Sequence, residues 1–335
     1  MSNCSGLPDD CSSALSATKI FLAVTISLLC FIGFFGYIVV DLIITKFKEQ
    51  FNSNFYLLVF SLSLPDCATL LCQTIYCIPV IIGGKQVLSL EYEIFVGSIA
   101  SISWWLVSSH ILLISIDRLI AVTSPIRYKQ ILPQKLVKLL ILISYFYSTC
   151  LTILQYSCQC DLLFQINAWQ LRCKEAPGGP CLRFPYFLYI ALSNLTVFAV
   201  LIIYVKTFYE MKMKNRRLLR NGRSLIRGRE FVTALQLGEI VSLLVAYDLC
   251  FWVIPPLIMY NYITENIGTA ILDIFCTMNS ALTPCFYMLF GSKIKRILSN
   301  ETCRQINVCS IESEKVKPER VAKSASTKPV TVTEN

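Results

Sequence analysis

Asp117 and Arg118 stand side by side after 23 residues, Ile94–Ile116, that include no Asp, Glu, Lys or Arg. An adjacent acid and base can move a proton in catalysis or neutralise each other reversibly. Catalysis needs companions at the same depth, such as paired carboxylates or clustered histidines. The chain has a single histidine, His110, and its other acids in apolar stretches are scattered: Asp41, Asp66, Asp248, Asp273 and Glu239. No glycine loop for nucleotides and no metal-ligand cluster is present. The pair therefore reads as an ion pair at a helix end, the bland alternative being a helix end reaching water. His110 reads as a packed or hydrogen-bonded residue, not a ligand. No catalytic residue, cofactor or metal is expected, and the chain reads as a non-enzyme.

The elements that carry these residues are long and apolar. Of 335 residues 55% are hydrophobic and 15% charged, against about 25% charged in soluble domains. Seven stretches are long enough to cross a bilayer as helices: 20–45, 55–82, 94–116, 139–157, 184–209, 231–263 and 267–290. Strands of a membrane barrel would be about half that length and would alternate polar with apolar. The expected fold is thus an all-α integral-membrane bundle of seven helices. Its division is a 1–19 extracellular N-terminus, a 20–290 helical domain, a 291–299 amphipathic helix lying on the membrane and a 300–335 disordered cytoplasmic tail.

Basic residues orient the bundle, because Lys and Arg stay on the cytoplasmic side. One set of loops holds Lys46 and Lys48, then five bases from Arg118 to Lys138, nine from Lys206 to Arg229 and nine from Lys293 onward. The other set holds only Lys19, Lys85, Arg172, Lys174 and Arg183. The N-terminus is placed outside and the tail inside. The +9 net charge then reflects topology and contact with anionic membrane lipid, not nucleic-acid binding. The first residues lack the basic start and apolar core of a cleavable signal, so the first span reads as the insertion signal.

Cys4, Cys11, Cys158, Cys160, Cys173 and Cys181 fall on the outer side, where disulfides persist. The four loop cysteines can pair with one another or with Cys4, Cys11 or Cys77, and sequence does not give the connectivity. Asn3 opens an N-C-S glycosylation acceptor. Cys303 and Cys309 follow the last span on the inside, as palmitoylation candidates or plain thiols.

The longer pattern D-R-L-I-A-V-T-S-P-I-R-Y, Asp117–Tyr128, resembles the D-R-Y-x-A-V-x-x-P-L-x-Y signature of rhodopsin-like G-protein-coupled receptors. Gly36–Val40 resembles the G-N-x-x-V of their first span, with Tyr37 for the asparagine. Leu62–Asp66 resembles L-A-x-x-D, and Tyr204 the tyrosine of the fifth span, whose usual proline is here Thr196. Cys250–Pro255 resembles C-W-x-P with altered spacing. Asn279–Tyr287 resembles N-S-x-x-N-P-x-x-Y, with Thr283 for the second asparagine. The departures together resemble the nematode serpentine chemoreceptors.

The resemblance implies a receptor that binds an extracellular small molecule or peptide and activates a heterotrimeric G protein, with arrestin and a receptor kinase as further partners. It implies that Arg118 rests on Asp117 and an acid of the sixth span, for which Glu239 is the candidate, and that Tyr204 and Tyr287 close on it when active. It implies bends at Pro255 and Pro284. It also implies that Asp66, with Asn279 and Ser280, forms an ion-binding or polar core; Val107 stands where the third span normally gives a hydroxyl, and a hydrogen-bonded Asp66 is the alternative. The expected ligand pocket is lined by Ala100, Trp104, Tyr189, Trp252, Tyr260, Asp273 and Thr277. Ala100 stands where amine receptors place an aspartate. The usual disulfide from the second outer loop to the third span has no cysteine in residues 85–98. The competing readings are a neuropeptide receptor of the same fold, a membrane transporter, and a receptor-like protein that does not signal.

Overall fold

The computed structural model describes residues 9–86, 88–157, 161–165, 170–174, 183–220 and 265–290, with 246, 249, 253, 254, 257, 294 and 297. Contacts divide the chain into Met1–Ser292 and Lys293–Asn335. In the second unit Ile294 and Ile297 are helical; the remainder of the expected amphipathic helix and tail lies outside the described residues.

The first unit is an all-α bundle of seven membrane helices. Helix α1 (Asp9–Lys46) begins well before the apolar stretch at Ile20. Once nucleated by the apolar run, the A-L-S-A-T-K segment extends it at little expense, since alanine, leucine and lysine favour helix. The second span is α2 (Asn54–Cys72), one π turn over Gln73–Cys77, and α3 (Ile78–Gly83). Pro79, at the start of α3, lacks the N–H that would continue the ladder, and the turn before it widens. Gly84, at φ 60, ends the span by donating its N–H to Val80.

The third span, α4 (Leu90–Thr123), ends at Ser124, the residue before Pro125, where the proline ring disfavours helical backbone. A single turn, α5 (Tyr128–Ile131), leads to α6 (Gln134–Ser157). An antiparallel hairpin follows, β1 (Asp161–Gln165) paired with β2 (Gln170–Lys174). The fifth span lies in α7 (Arg183–Arg220), which continues as helix past Tyr209 and carries the basic residues up to Arg220. Of the sixth span, Ala246, Leu249, Val253, Ile254 and Leu257 are described, all helical. The seventh span is α8 (Glu265–Phe290).

Among the described residues, five helices are long and apolar enough to cross a membrane: 17–46, 54–83, 90–123, 134–157 and 194–214. Phe21, Val24, Leu28, Phe31, Phe35, Ile38 and Leu42 form an exposed stripe along α1 at helical spacing. Apolar residues outward are what a lipid solvent favours. The polar side chains Asp66, Gln73, His110, Asp117, Asp273, Thr277 and Asn279 are buried instead.

Helix α4 is the hub, packing on α2, α6, α7 and strand β1, while α1 packs on α2, α3 and α8. Two glycines allow the approach of α1 to α8. A Cβ on Gly33 would stand 2.9 Å from Ala281 Cα, and one on Gly36 would stand 2.9 Å from Pro284 Cγ.

Candidate functional site

The site begins where α4 ends. Asp117 is fully buried and held on both oxygens. Arg118 donates to Oδ2 through Nε at 3.0 Å and Nη2 at 2.5 Å. From the other side Tyr128 donates its phenolic hydrogen to Oδ1. Pro125 ends α4 and the short α5 turns Tyr128 back beneath it. Burial, and then the Asp117 carboxylate, push the Tyr128 phenol above its ordinary range, so it stays protonated and remains a donor.

Arg118 is also held from above. Its guanidinium carbon lies 4.1 Å from the centre of the Phe55 ring on α2, a cation–π contact. Phe55 meets Tyr287 of α8 edge-on, centroids 6.0 Å apart. Tyr287 is buried, its hydroxyl has no hydrogen-bond partner among the described residues, and it lies within electrostatic reach of both Arg118 and Asp66. The adjoining turn is anchored by Asn54, whose Nδ2 donates to the Leu132 carbonyl at 2.7 Å. Lys214 of α7 donates to the Val122 carbonyl at the end of α4.

A second polar node lies deeper. Tyr37 of α1 donates its hydroxyl to Asp66 Oδ2 on α2, and Ser280 of α8 stands beside the same carboxyl. The Thr283 hydroxyl is occupied by its own helix, donating to the Asn279 carbonyl at 2.7 Å. Val107 is buried and brings no polar atom. Asp66 Oδ1 and Asn279 Oδ1 have no partner among the described residues. His110 is buried as a hydrogen-bonded residue, Nε2 2.9 Å from Ser61 Oγ and Nδ1 2.8 Å from the Leu106 carbonyl.

Of the residues expected to line a pocket, Ala100 and Trp104 are half-buried on α4, one turn apart. Asp273 and Thr277 are buried on α8, where Thr277 Oγ1 donates to the Asp273 carbonyl at 2.8 Å. Asp273 Oδ1 accepts from Gln73 Nε2 at 2.9 Å, so Gln73 joins this group although the sequence reading had not named it. Tyr204 is half-buried on α7. Tyr189 is helical, but its side chain lies outside the described residues, as do Glu239, Trp252, Pro255 and Tyr260.

Cys77 does not serve as a disulfide partner. It is a free thiol buried in the apolar cluster of Cys30, Tyr76, Ile78 and Ala270. Asn3, Cys4, Cys158, Cys160, Cys181, Cys303 and Cys309 lie outside the described residues, as do the side chains of Cys11 and Cys173. Strand β1 packs against α4, so the hairpin reaches the third span without a cysteine there. Among the described residues no group of three His, Cys, Asp or Glu is arranged to hold a metal.

A seven-helix bundle with an Asp–Arg pair at the end of its third helix is the architecture of a rhodopsin-like receptor. The fold comparison agrees: squid rhodopsin superposes with a TM-score of 0.70 over 92% of this chain and 93% of that one, at 15% identity. The chain belongs to the family described as serpentine type 7TM GPCR chemoreceptor Srx, whose model matches residues 28–231. Ligand sensing coupled to G-protein signalling is what membership of that family carries. No curated protein matches the chain in sequence.

Proposed function

We propose that this receptor senses an extracellular chemical cue, with its N-terminus outside and its tail inside, and that the Asp117 carboxylate is its resting latch. The observation that carries this reading is the double hold on Asp117 by Arg118 and Tyr128. A guanidinium neutralised by its neighbour and stacked on Phe55 is withheld from any partner at that end of the bundle. Agonist binding favours the packing in which Asp117 loses its grip. Arg118 then turns toward Tyr204 and Tyr287, and a crevice opens for the C-terminal helix of a Gα subunit. The ligand drives this only through its higher affinity for the open packing.

Glu239 is the second acid of the latch in this account, and Pro255 and Pro284 are the bends about which the sixth and seventh spans move. Asp66 is a polar node joining α1, α2 and α8, not a sodium site. Tyr37 takes one of its oxygens, Val107 offers none, and Thr283 is turned to its own backbone. Arrestin and a receptor kinase meet the serines and threonines of the tail. The cue is a small molecule; a neuropeptide is the alternative.

The test is intracellular calcium in cells expressing the chain with a promiscuous Gα, against volatile, small-molecule and peptide panels, with Arg118→Ala at equal surface expression. A response lost in Arg118→Ala supports the reading. A response that survives it removes Arg118 from the mechanism.

A further inference from the structure

The end of the bundle that holds Asp117 and Arg118 also carries bases that nothing beside them balances. Arg127 and Lys129 flank Tyr128 at α5, and Lys135 and Lys138 stand near the N-terminus of α6. All four are exposed, and among the described residues none has an ion-pair partner. No Asp or Glu occurs from Arg118 to Cys160. The other described basic segments at this end differ: Glu49 follows Lys48, and Glu210 lies between Lys206 and Lys212. Membrane topology accounts for bases at this end. It does not account for the missing acids.

Two further features of α6 bear on these bases. A helix N-terminus carries partial positive charge and favours acids in its first turn. Lys135 and Lys138 stand against that preference, and no acid in the first turn of α6 relieves it. An anion from outside the chain would offset both lysines and the helix end together. The same face of α6 then turns apolar. Leu139, Leu142 and Phe146 follow the two lysines at helical spacing, and Leu142 and Phe146 are 66% and 72% exposed. Val137, Ser144 and Ser148, on the opposite face, are buried in the bundle. One stripe of α6 thus has cations at its end and hydrocarbon beyond them, the profile that complements an anionic phospholipid.

We propose that this stripe, with Arg127 and Lys129 beside it, is a docking surface for an anionic phospholipid whose headgroup bears more than one phosphate. The phosphates meet the four bases and an acyl chain lies along Leu139, Leu142 and Phe146. Four cations without an acid call for more than the single negative charge of a phosphatidylserine headgroup. The orientation proposed above puts this end at the cytoplasmic leaflet, where anionic lipids concentrate. The surface depends on neither the sensed cue nor the G protein.

The test uses the full chain in nanodiscs of phosphatidylcholine doped with phosphatidylinositol 4,5-bisphosphate, or with phosphatidylserine at equal total charge. Retained lipid is counted by native mass spectrometry. Wild type is expected to retain the bisphosphate lipid in preference to phosphatidylserine. Lys135→Gln with Lys138→Gln is expected to lower that retention roughly tenfold, since each base near a membrane surface contributes about fivefold. Arginine at both positions restores it. Lys46→Gln with Lys48→Gln removes the same charge from the neighbouring loop and leaves retention unchanged. Three results overturn the proposal. One is equal loss in the two glutamine pairs, which leaves only diffuse attraction to the whole basic end. Another is retention of phosphatidylserine equal to that of the bisphosphate lipid. The third is displacement by soluble inositol 1,4,5-trisphosphate as effective as displacement by the lipid, which leaves the apolar stripe no part. Both leaflets of the disc have one composition, so the result is independent of orientation and of signalling.

Discussion

Tyr37 of α1 donates its hydroxyl to Asp66 of α2, and both side chains are 1% exposed. The bond ties the first two spans at the depth where Ser280 of α8 also meets the carboxyl. Tyr37, which stands where the family pattern has an asparagine, thus brings a hydrogen-bond donor to Asp66. Tyr37→Phe removes that donor and leaves a buried carboxyl oxygen unpaired. The loss expected is about 1–3 kcal/mol, read as a lower unfolding temperature of the purified receptor with the helical signal intact below it. An unchanged transition would show that Asp66 does not depend on Tyr37.

Tyr128 is the second half of the hold on Asp117. Tyr128→Phe deletes one hydrogen bond and little else. A loss of about 1 kcal/mol shifts the resting equilibrium about fivefold, so ligand-independent nucleotide exchange on Gα is expected to rise by that order at matched surface expression. A fall would place Tyr128 on the side of the active state.

The same residue sets an expectation for pH. The Tyr128 phenol is raised above its ordinary value, which is about 10. A raised value means that its stabilising bond is fully present below the ordinary value and is lost only as pH climbs through the higher one. Basal exchange in isolated membranes is therefore expected to show no Tyr128-dependent change between about pH 6 and pH 9. A difference between wild type and Tyr128→Phe that vanishes near pH 8 would contradict this.

Packing of α1 on α8 gives a sharper contrast. Gly33→Ala places a methyl 2.9 Å from Ala281 Cα and 2.6 Å from Leu70 Cδ1. Overpacking of this kind costs about 1–3 kcal/mol and is expected to reduce surface expression and thermal stability. Gly83→Ala, with nothing within 4 Å of the added carbon, is the control and is expected to stay within about 0.5 kcal/mol. Equal behaviour of the two variants would mean that the α1–α8 approach is looser than the distances imply.

Much of this is legible in the sequence. Seven apolar stretches, the asymmetry of the bases and the ordered motifs led to the bundle and to the Asp117–Arg118 pair. What was not legible depended on helix facing. Tyr37 read as a departure because its partner sits on another helix, and only the rotation of α1 against α2 brings its hydroxyl to Asp66. Tyr128 read as the last letter of a motif, and its contact with Asp117 depends on the turn after Pro125. Gln73 carried no signal, since a π turn is a shift of hydrogen-bond register inside an apolar run and leaves no trace in hydrophobic periodicity. The hairpin Asp161–Lys174 was hidden in a loop read for its cysteines, and its two strands of five residues are too short to show alternation clearly.

The central claim is that the buried Asp117 carboxylate holds the receptor at rest by occupying Arg118. Ligand-independent nucleotide exchange on Gα by Asp117→Asn, beside wild type and Arg118→Ala in the same membranes, tests it most directly. The account predicts that Asp117→Asn exchanges several-fold faster than wild type, because the neutral amide keeps the shape and weakens the ion pair, while Arg118→Ala is silent. Asp117→Asn exchanging no faster than wild type, at equal surface expression, would contradict it.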